Sequence, residues 1–399
     1  MKEFDKPISQ EHINIAEKTR SNLFAWRGQF SPQLVEVILK SYCLPDSIIL
    51  DPFVGSGTVL LEAGNLGLEA YGFEINPAAW ILSRIYELIN NTQREKSIHK
   101  IKDKLNSKFN SETFNTNIKT SNLLEIIKEI KKDLDKDSTK IFEALVILLD
   151  FDKNKITSEL IQNKFCNLVN VIEKLPLSQK PIKVGFSDSR CLPLKDSQID
   201  FVITSPPYIN VFNYHQNYRK SAEVLGWNLL KIAKSEIGSN RANRGNRFYT
   251  VVQYCLDMAN SLAEIARVTR LDGRIVLIVG HQSNVLGVPF YNADIIEKLA
   301  INSGLFSKVI RQKREFKNKF GKLIREDIIN LINLDYKHCS EKLDDIAREV
   351  ALNVLQSNLL TVDLKNFEYL KSAINKVSDI KKTAILTQDY SVYLSSKPN

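Results

Sequence analysis

The chain alternates near its start between short apolar strands and amphipathic helices, and this alternation constrains the fold more than any other feature of the sequence. Residues 47–51 form a largely apolar strand that ends in an acid, and Gly55 and Gly57 predict a tight loop leading into a helix. A second strand is predicted over residues 69–74, and Asn76 followed by proline favours the start of another helix. This order of strand, helix, strand and helix implies a parallel sheet.

The same alternation resumes after residue 180 and predicts the rest of the sheet. The predicted strands are residues 181–186, 199–204, 274–280, 306–312 and 327–334, and the predicted helices are residues 249–269 and 293–302. The last two strands form a closing pair. These five strands and the two predicted before residue 75 give about seven strands. They imply an α/β fold with a mixed, mostly parallel sheet.

Residues 92–180 interrupt this alternation and are predicted to form a helical insertion. They are rich in Lys, Asn, Asp and Ser, with helical periodicity over residues 123–134 and 141–149. A connection between a helix and a strand typically has roughly 2–6 residues, so a stretch of this length favours a subdomain. The predicted domains are residues 1–91, 92–180, 181–335 and 336–399, the last a helical extension with an extended segment over residues 384–394.

Composition places the chain among globular proteins with a positive charge balance. Hydrophobic residues are 43% and charged residues 25%, which excludes collagen, coiled coils and wholesale disorder. Lys and Arg number 55 against 46 Asp and Glu, and the net charge of +9 suggests a polyanionic partner. The five cysteines lie far apart without a C-x-x-C pair, so no metal site is expected.

The sequence predicts a cytoplasmic protein that does not insert into membranes. No apolar run approaches the roughly 18 residues that a membrane-spanning helix requires. Residues 1–10 are polar and carry both signs of charge, which does not fit a secretory signal. An odd number of cysteines is typical of a reducing compartment.

Residues 51–58 read DPFVGSGT and favour a ligand at the carboxyl ends of the strands. A phosphate loop would continue as Gly-Lys-Ser/Thr, which is absent, and Leu60 stands where the dinucleotide fingerprint needs its third glycine. Glu74 ends the next strand, where a carboxylate can accept hydrogen bonds from a ribose diol. Asp51 suits a cationic or amine-bearing ligand. The alternative is that the glycines only make a turn and Glu74 is a solvated strand end.

A Ser-Pro-Pro-Tyr turn at residues 205–208 directly follows the apolar strand at residues 199–203. Both prolines fix φ near −65°, and the residue before a proline is held extended, so this backbone is preorganised. Because proline has no N–H, carbonyl groups dominate the turn and favour an exocyclic amino group as the ligand. The alternative is an ordinary loop.

The glycine loop and the Ser-Pro-Pro-Tyr turn resemble the motifs of the S-adenosylmethionine-dependent DNA amino-methyltransferases. The resemblance implies a Rossmann-like methyltransferase fold with S-adenosylmethionine as the cofactor. It also implies the residues that bind the cofactor, which are Phe30, Ser31, Asp51, Phe53, Gly55, Gly57, Glu74 and Asp188. The catalytic residues that it implies are Ser205, Pro206, Pro207 and Tyr208. In this family the first acid lies by the methionine end, the acid of the next strand holds the ribose, and an acid at the position of Asp188 recognises the adenine amino group.

The same resemblance predicts the reaction. Hydrogen bonds from a base amine to the Ser205 hydroxyl and the Pro206 carbonyl would aim the nitrogen lone pair at the sulfonium methyl, for a direct in-line transfer. Tyr208 would stack on a base flipped out of double-stranded DNA. Serine at this position is common in enzymes that methylate N4 of cytosine, so we predict that activity and keep N6 of adenine as the alternative. Methylation at carbon 5 would need a Pro-Cys dipeptide, and the chain has none.

Two basic stretches are candidate DNA contacts. Residues 311–325 carry seven Lys or Arg with two phenylalanines between them, and resemble a hairpin that grips phosphates. Residues 241–247 form an Arg-rich loop. The predicted DNA contacts are Arg241, Arg244, Arg247, Arg314, Lys317 and Lys319. A solvated surface is the alternative for both stretches, and His215, near the turn, is expected to be a polar loop residue.

The predicted biological setting is a restriction-modification system with a separate cognate restriction endonuclease. The insertion is slightly favoured as the target-recognition region, with the tail after residue 336 as the competing candidate. Two other functions stay open. One is methylation of an RNA guanine or a protein glutamine, and the other is DNA binding with a cofactor pocket but no catalysis.

Overall fold

The computed structural model describes residues 3–15, 17–26, 29, 31–109, 120–209, 214–238, 245–317, 321–334, 342–387 and 389. The strands are β1 Ile49–Asp51, β2 Ala70–Glu74, β3 Ile182–Phe186, β4 Ile199–Thr204, β5 Thr269–Gly280, β6 Ser283–Val285, β7 Val288–Phe290, β8 Phe306–Lys317 and β9 Leu323–Asn333. The helices are α1 Gln10–Asn14, α2 Pro32–Tyr42, α3 Thr58–Asn65, α4 Pro77–Ser83, α5 Arg94–Lys108, α6 Thr120–Lys132, α7 Lys136–Leu148, α8 Ser158–Glu173, α9 Arg219–Val224, α10 Leu229–Ile232, α11 Tyr249–Val268, α12 Asn292–Asn302, α13 Leu343–Gln356 and α14 Leu364–Asn375, with 3₁₀ helices at Arg84–Asn90 and Tyr214–Gln216.

The main sheet has seven strands in the order β3-β2-β1-β4-β5-β9-β8. The pairs from β3 to β5 are parallel, whereas β9 is antiparallel to both of its neighbours. The predicted Rossmann-like α/β fold with a mixed, mostly parallel sheet is therefore confirmed. The strand order reverses direction between β1 and β4, and in open α/β sheets ligands bind in the crevice at such a point.

The core lies on both faces of this sheet because successive strand residues point to opposite sides. Ile49 and Ile203 pack on the face covered by α2, α3 and α4. Leu50 and Val202 pack on the face covered by α11, α12 and α13. The sheet is thus a central layer, and its carboxyl edge stays open for a site.

Local sequence explains where the helices next to this edge begin. The Asn76 side chain accepts hydrogen bonds from the backbone N–H groups of Ala78 (3.0 Å) and Ala79 (3.4 Å), and Pro77 takes the first helical position of α4. In the same way, α2 begins with a proline after Ser31. Both helix starts match the predictions from sequence.

The described part of the insertion consists of helices α5 to α8, as the periodicity predicts. Asn90 fastens its two ends, because its Nδ2 donates to the carbonyl oxygens of Ser178 (3.0 Å) and Lys180 (2.7 Å) and its Oδ1 accepts from the N–H of Ile182 (2.7 Å). Helix α7 packs against the 3₁₀ helix before the insertion, and Arg84 and Glu143 form an ion pair across this contact (3.0 Å). The division of the chain into four domains stays a prediction.

The closing hairpin is longer than the sequence pattern predicts. Strands β8 and β9 extend through the basic stretch to Lys317 and from Leu323, beyond the predicted limits of residues 312 and 327. The N-terminal segment covers the outer edge of β8, where the Ile8 N–H donates to Gln312 Oε1 (2.9 Å) and the Glu315 N–H donates to Asn14 Oδ1 (2.9 Å). This contact blocks further strand pairing at that edge.

The tail is helical at first, as predicted, and forms α13 and α14. Residues 381–387 have no regular structure, and they run against α11, where the Gln253 amide donates to the Lys381 carbonyl (3.0 Å). The rest of the predicted extended segment, apart from Asp389, lies outside the described residues. Within the ranges given above, none of the helices has both the length and the apolar character needed to cross a membrane.

Candidate active site

A pocket of about 890 Å³, its open mouth included, lies at the carboxyl ends of β1, β2, β3 and β4. It brings together residues from both predicted motifs, namely Asp51, Phe53, Gly55, Glu74, Asp188, Ser205 and Pro207. Ser205 and Gly55 therefore border one cavity, although they lie 150 positions apart in the sequence. This arrangement places the glycine loop beside the Ser-Pro-Pro-Tyr turn.

Asp51 joins the two motifs at the point where the strand order reverses. Its Oδ1 accepts hydrogen bonds from the Phe53 N–H (3.1 Å) and from the Thr204 hydroxyl (2.6 Å), which stands one residue before the Ser-Pro-Pro-Tyr turn. The side chain is 1% exposed, and this burial raises the pKa of Asp51 to about 7. A cationic group in the pocket would favour the ionised carboxylate.

Glu74 at the end of β2 is held by the backbone of both neighbouring loops. Its carboxylate accepts hydrogen bonds from the N–H groups of Gly55 (3.0 Å), Ile75 (3.0 Å) and Asn76 (2.9 Å). A carboxylate has about four acceptor positions, so capacity remains for a ligand hydroxyl. Burial raises the pKa of Glu74 to about 7.

The two loop glycines have different surroundings. Gly55 lines the pocket with φ +52°, and a Cβ there would lie 3.3 Å from Cδ1 of Trp26. Gly57 has φ +95°, and a Cβ there would lie 2.4 Å from the Tyr86 ring. Gly55 therefore leaves room beside a ligand, whereas Gly57 allows the start of α3 to pack on Tyr86.

The segment before α2 supplies the pocket wall beside Gly55. The Gln29 side chain donates hydrogen bonds to the Phe24 carbonyl (2.8 Å) and to the Ser56 hydroxyl, and Gln29 and Trp26 both line the pocket. Ser31, predicted to contact the cofactor, stands at the N-terminal cap of α2, and its buried hydroxyl has no hydrogen-bond partner among the described residues. Phe30 lies outside the described residues. Trp26 was missed because an isolated tryptophan carries no motif.

Asp188 lines the pocket, but its carboxylate is already fully bonded within the protein. Oδ1 accepts from the Arg190 N–H (3.0 Å) and Nε (2.9 Å), and Oδ2 accepts from Arg190 Nη2 (2.7 Å) and the Leu386 N–H (3.0 Å). These four bonds fill the usual capacity of a carboxylate. The predicted hydrogen bond to an adenine amino group would have to displace one of them.

Arg190 extends this network to three other parts of the chain. Its guanidinium donates to Asp257 on α11 (2.8 Å), to the Ser235 carbonyl (3.1 Å) and to the Ala384 carbonyl in the tail (3.1 Å). The side chains of Arg190 and Asp257 are 0% exposed. The tail is thus fastened to the edge of the pocket by a buried ion-pair network.

The Ser-Pro-Pro-Tyr turn is braced from two sides. The Ser205 and Tyr208 hydroxyls share a hydrogen bond (3.1 Å), and the Tyr254 hydroxyl donates to the Pro207 carbonyl (3.0 Å). Pro206 is buried within the turn. Burial also raises the pKa of Tyr208. A Cβ at Gly280 would lie 2.8 Å from the Tyr208 ring, so the ring packs directly on the backbone at the end of β5.

Glu236 is a pocket residue that sequence reasoning missed. It is 5% exposed and lines the pocket, and its Oε2 shares a hydrogen bond with Nδ1 of His215 (2.8 Å). Its Oε1 is buried without a hydrogen-bond partner among the described residues. His215 is itself 2% exposed, so the expected polar loop residue is a buried partner of this carboxylate. No local pattern signals the pair, since 20 residues separate its members.

The structure corrects one predicted DNA contact. Arg314 is 2% exposed, because alternation along β8 turns its side chain inward, where it pairs with Glu326 (3.1 Å) and lies over the Phe316 ring (4.4 Å). In this position Arg314 does not face a phosphate backbone. Lys317 is exposed at the end of β8, and Arg247 is half-buried just before α11. Arg241, Arg244 and Lys319 lie outside the described residues.

Comparisons with known proteins agree with the motif at the glycine loop. Residues 2–84 match the family model described as DNA methylase. A Type II methyltransferase of Methanocaldococcus jannaschii is 33% identical over 96 residues, which are 23% of this chain and 18% of that protein. A tRNA (guanine(10)-N2)-dimethyltransferase of Methanothermobacter thermautotrophicus is 37% identical over 70 residues, 17% of this chain and 20% of that protein. The chain thus spans about a fifth of the length of these curated relatives.

Solved structures align over more of the chain but at low similarity. An S-adenosylmethionine-dependent methyltransferase of Methanosarcina mazei has a TM-score of 0.35 and 12% identity, with 74% of this chain and 97% of that one covered. A Pyrococcus horikoshii protein has a TM-score of 0.34 and 12% identity, with 75% and 88% covered. Scores this low add nothing to the topology already described.

The strand order, the glycine loop and the Ser-Pro-Pro-Tyr turn together define one pocket on a Rossmann-like sheet. The predicted resemblance to the S-adenosylmethionine-dependent DNA amino-methyltransferases is confirmed, and it leaves N4 and N6 chemistry undistinguished.

S-adenosylmethionine is the cofactor that this family implies, and the pocket fits it. The buried carboxyls of Asp51 and Glu74 suit its positive charges and its ribose hydroxyls, and Gly55 allows close approach. Among the described residues, no cluster of three or more His, Cys, Asp or Glu side chains could hold a metal ion.

Proposed function

We propose that this protein transfers a methyl group from S-adenosylmethionine to the exocyclic amino group of a base in double-stranded DNA, with N4 of cytosine favoured and N6 of adenine as the alternative. The observation that carries the proposal is the 2.6 Å hydrogen bond from Thr204 to Asp51. It fixes the Ser-Pro-Pro-Tyr turn against the acid of the cofactor loop. A base amine at Ser205 would therefore lie beside a methyl donor at Asp51.

The residues of the turn explain how a weak nucleophile can react. The amine lone pair is delocalised into the base ring, and hydrogen bonds from its two hydrogens to the Ser205 hydroxyl and the Pro206 carbonyl draw the nitrogen towards tetrahedral geometry. The cofactor, when bound, supplies an electrophilic methyl carbon on a sulfonium sulfur. Tyr254 holds the turn by its bond to the Pro207 carbonyl, so little reorganisation is needed at reaction.

The base preference and the biological setting follow from resemblance. Serine at position 205 favours cytosine, and the name of one curated relative, a Type II methyltransferase, supports a restriction-modification system as the setting. A separate cognate restriction endonuclease is part of the same proposal. The net charge of +9 and the exposed Lys317 support a DNA partner. A cytoplasmic location is part of the same proposal, and the cysteines among the described residues are all free thiols.

Methylation of an RNA guanine is the second candidate. It is favoured by the 37% identity to a tRNA (guanine(10)-N2)-dimethyltransferase and by the burial of Arg314, which removes one predicted DNA contact. Guanine N2 is also an exocyclic amine, so the same turn could activate it.

One experiment separates these substrates. The protein is incubated with methyl-labelled cofactor and, in separate reactions, unmethylated plasmid DNA, tRNA and protein extract, and the nucleic acids are digested to nucleosides. Label in N4-methylcytosine is the expected result, and label only in methyladenine would exclude the cytosine preference. Label only in tRNA or protein would overturn the proposal. Ser205→Ala should lose transfer and still bind the cofactor, which controls for a contaminating enzyme.

A further inference from the structure

The buried carboxylate of Glu236 has one oxygen engaged and one free. Oε2 is fixed by His215 at 2.8 Å, whereas Oε1 has no partner in the described part of the chain, and the residue lines the cofactor pocket. A buried acceptor without a partner is energetically costly, so such atoms are rare unless a ligand satisfies them. Oε1 is thus suited to accept a hydrogen bond from a bound ligand.

Asp188 cannot take this role without giving up a bond. Its four acceptor positions are used by Arg190 and by the Leu386 N–H, and its side chain is 2% exposed. The network keeps Asp188 at the pocket wall but leaves it saturated. A ligand amine at this end of the pocket therefore needs another acceptor.

Glu236 stands close to that end of the pocket. The carbonyl of the preceding residue, Ser235, accepts from the same Arg190 guanidinium that holds Asp188 (3.1 Å). Two residues further on, a Cβ at Gly238 would lie 2.8 Å from the Tyr208 carbonyl oxygen, so the chain runs from the end of β3 towards the Ser-Pro-Pro-Tyr turn. Glu236 directly follows Ser235 and lines the same pocket as Asp188.

We infer that Glu236 accepts a hydrogen bond from the 6-amino group of the cofactor's adenine ring, and that Asp188 and Arg190 are positioning residues that hold the Glu236 segment in place. This inference rests on the proposed use of S-adenosylmethionine. A carboxylate oxygen attracts an amino group and repels a keto oxygen. Glu236 would therefore select an adenine nucleoside over its deaminated counterpart. An amine of the target base is the competing donor, and the test below separates the two.

Binding of two nucleosides measures this selection directly. The ligands are S-adenosylhomocysteine and its deaminated analogue, which carries a keto oxygen in place of the 6-amino group, and calorimetry without nucleic acid gives both affinities. The native protein should prefer the amino ligand by on the order of tenfold or more. In Glu236→Gln, whose amide can donate to a keto oxygen, the preference should shift towards the keto ligand by a similar factor.

Glu74→Gln is the matched control, because it makes the same chemical change at the carboxylate assigned to the ribose. It should lower the affinity for both ligands by the same factor and leave the ratio of the two affinities unchanged. Glu236→Asp keeps the charge and shortens the side chain, so it should weaken the amino ligand and retain the preference. This second variant keeps the inference testable if Glu236→Gln does not fold.

Several outcomes would overturn the inference. One is an equal loss of affinity for both ligands in Glu236→Gln. Another is a shift in the preference between the two ligands in Asp188→Asn and not in Glu236→Gln. Unchanged nucleoside binding together with slower methyl transfer in Glu236→Gln would assign the carboxylate to the target base. Failure of the native protein to bind either nucleoside would instead contradict the proposed function itself.

Discussion

The guanidinium of Arg190 closes on the carboxylate of Asp188 with hydrogen bonds of 2.9 and 2.7 Å, and both side chains are almost completely buried. The same guanidinium holds Asp257, so one cation balances two buried acids. Such a network stabilises the fold only while every member is present, because removal of one partner leaves a buried charge uncompensated.

Replacing Arg190 by Gln should therefore destabilise the protein. We expect a loss of about 3–5 kcal/mol in the free energy of unfolding, since Asp188 and Asp257 would both lose their counter-charge. Urea unfolding followed by circular dichroism measures the change. Lys180→Gln, which breaks the exposed pair with Asp46, should cost less than about 1 kcal/mol. Equal effects of the two variants would contradict the role given to the network.

Cofactor affinity should rise with pH through neutrality. Burial raises the pKa of both Asp51 and Glu74 to about 7, so at pH 6 these carboxyls hold protons that a cationic cofactor must displace. Between pH 6 and pH 8 we expect S-adenosylmethionine to bind more tightly by roughly tenfold for each carboxyl that ionises. Calorimetry in buffers of different ionisation enthalpy would report the released protons. An affinity that is independent of pH would contradict the coupling.

The same carboxyls should make the cofactor-free protein less stable as the pH rises, whereas cofactor affinity increases with pH. Their folded-state pKa values lie above the ordinary values of 3.8 and 4.5, so the folded state binds more protons than the unfolded state between about pH 4 and pH 7. The contribution of these groups to stability is therefore greatest below pH 4 and falls as the pH rises through 7. Between pH 5.5 and pH 8, the melting temperature should therefore fall less for Asp51→Asn than for the native protein.

Gly280→Ala should impair methyl transfer more than cofactor binding. A Cβ at this position would lie 2.8 Å from the Tyr208 ring, which would have to move away from its place in the turn. We expect the single-turnover rate to fall by at least about tenfold, because displacing a group that positions the substrate typically costs at least that much. The dissociation constant for S-adenosylhomocysteine should stay near native. Gly245→Ala is the control, because a Cβ there would meet open space.

Tyr254→Phe tests whether the brace on the turn matters for the reaction. The variant removes the hydroxyl that donates to the Pro207 carbonyl at 3.0 Å and changes little else. Loss of one such bond should lower the rate of methyl transfer by roughly fivefold to tenfold, since it is worth about 1 kcal/mol. Tyr249→Phe lies on the same helix and loses only a bond to Ser372, so its rate should stay near native. Matching rates for both variants would argue against the brace.

Sequence was sufficient wherever the structure depends on neighbouring residues. The strand before Asp51, the glycine loop and the Ser-Pro-Pro-Tyr turn were all placed correctly, because strand alternation, glycine conformation and proline geometry act within a few residues. The sheet followed from their order along the chain.

Sequence failed where the deciding partner is distant along the chain. Arg314 looked like a surface residue, but its exposure depends on the register with Glu326 across the hairpin. Asp188 looked available, but Leu386, 198 residues later, occupies one of its acceptor positions. Glu236 carries no local signal, and only the folded chain brings His215 beside it.

Asn90 lies where the chain enters the insertion, and its side chain bonds Ser178, Lys180 and Ile182, where the chain returns to the sheet. The gap that the insertion must span is thus fixed by bonds between its two ends, to which Asn90 contributes three, and not by the number of residues between them. Longer or shorter versions of this region could be grafted between the same two anchor points while Asp51 and Ser205 kept their separation. In an engineered chimera, the graft could vary independently of the pocket between Asp51 and Ser205.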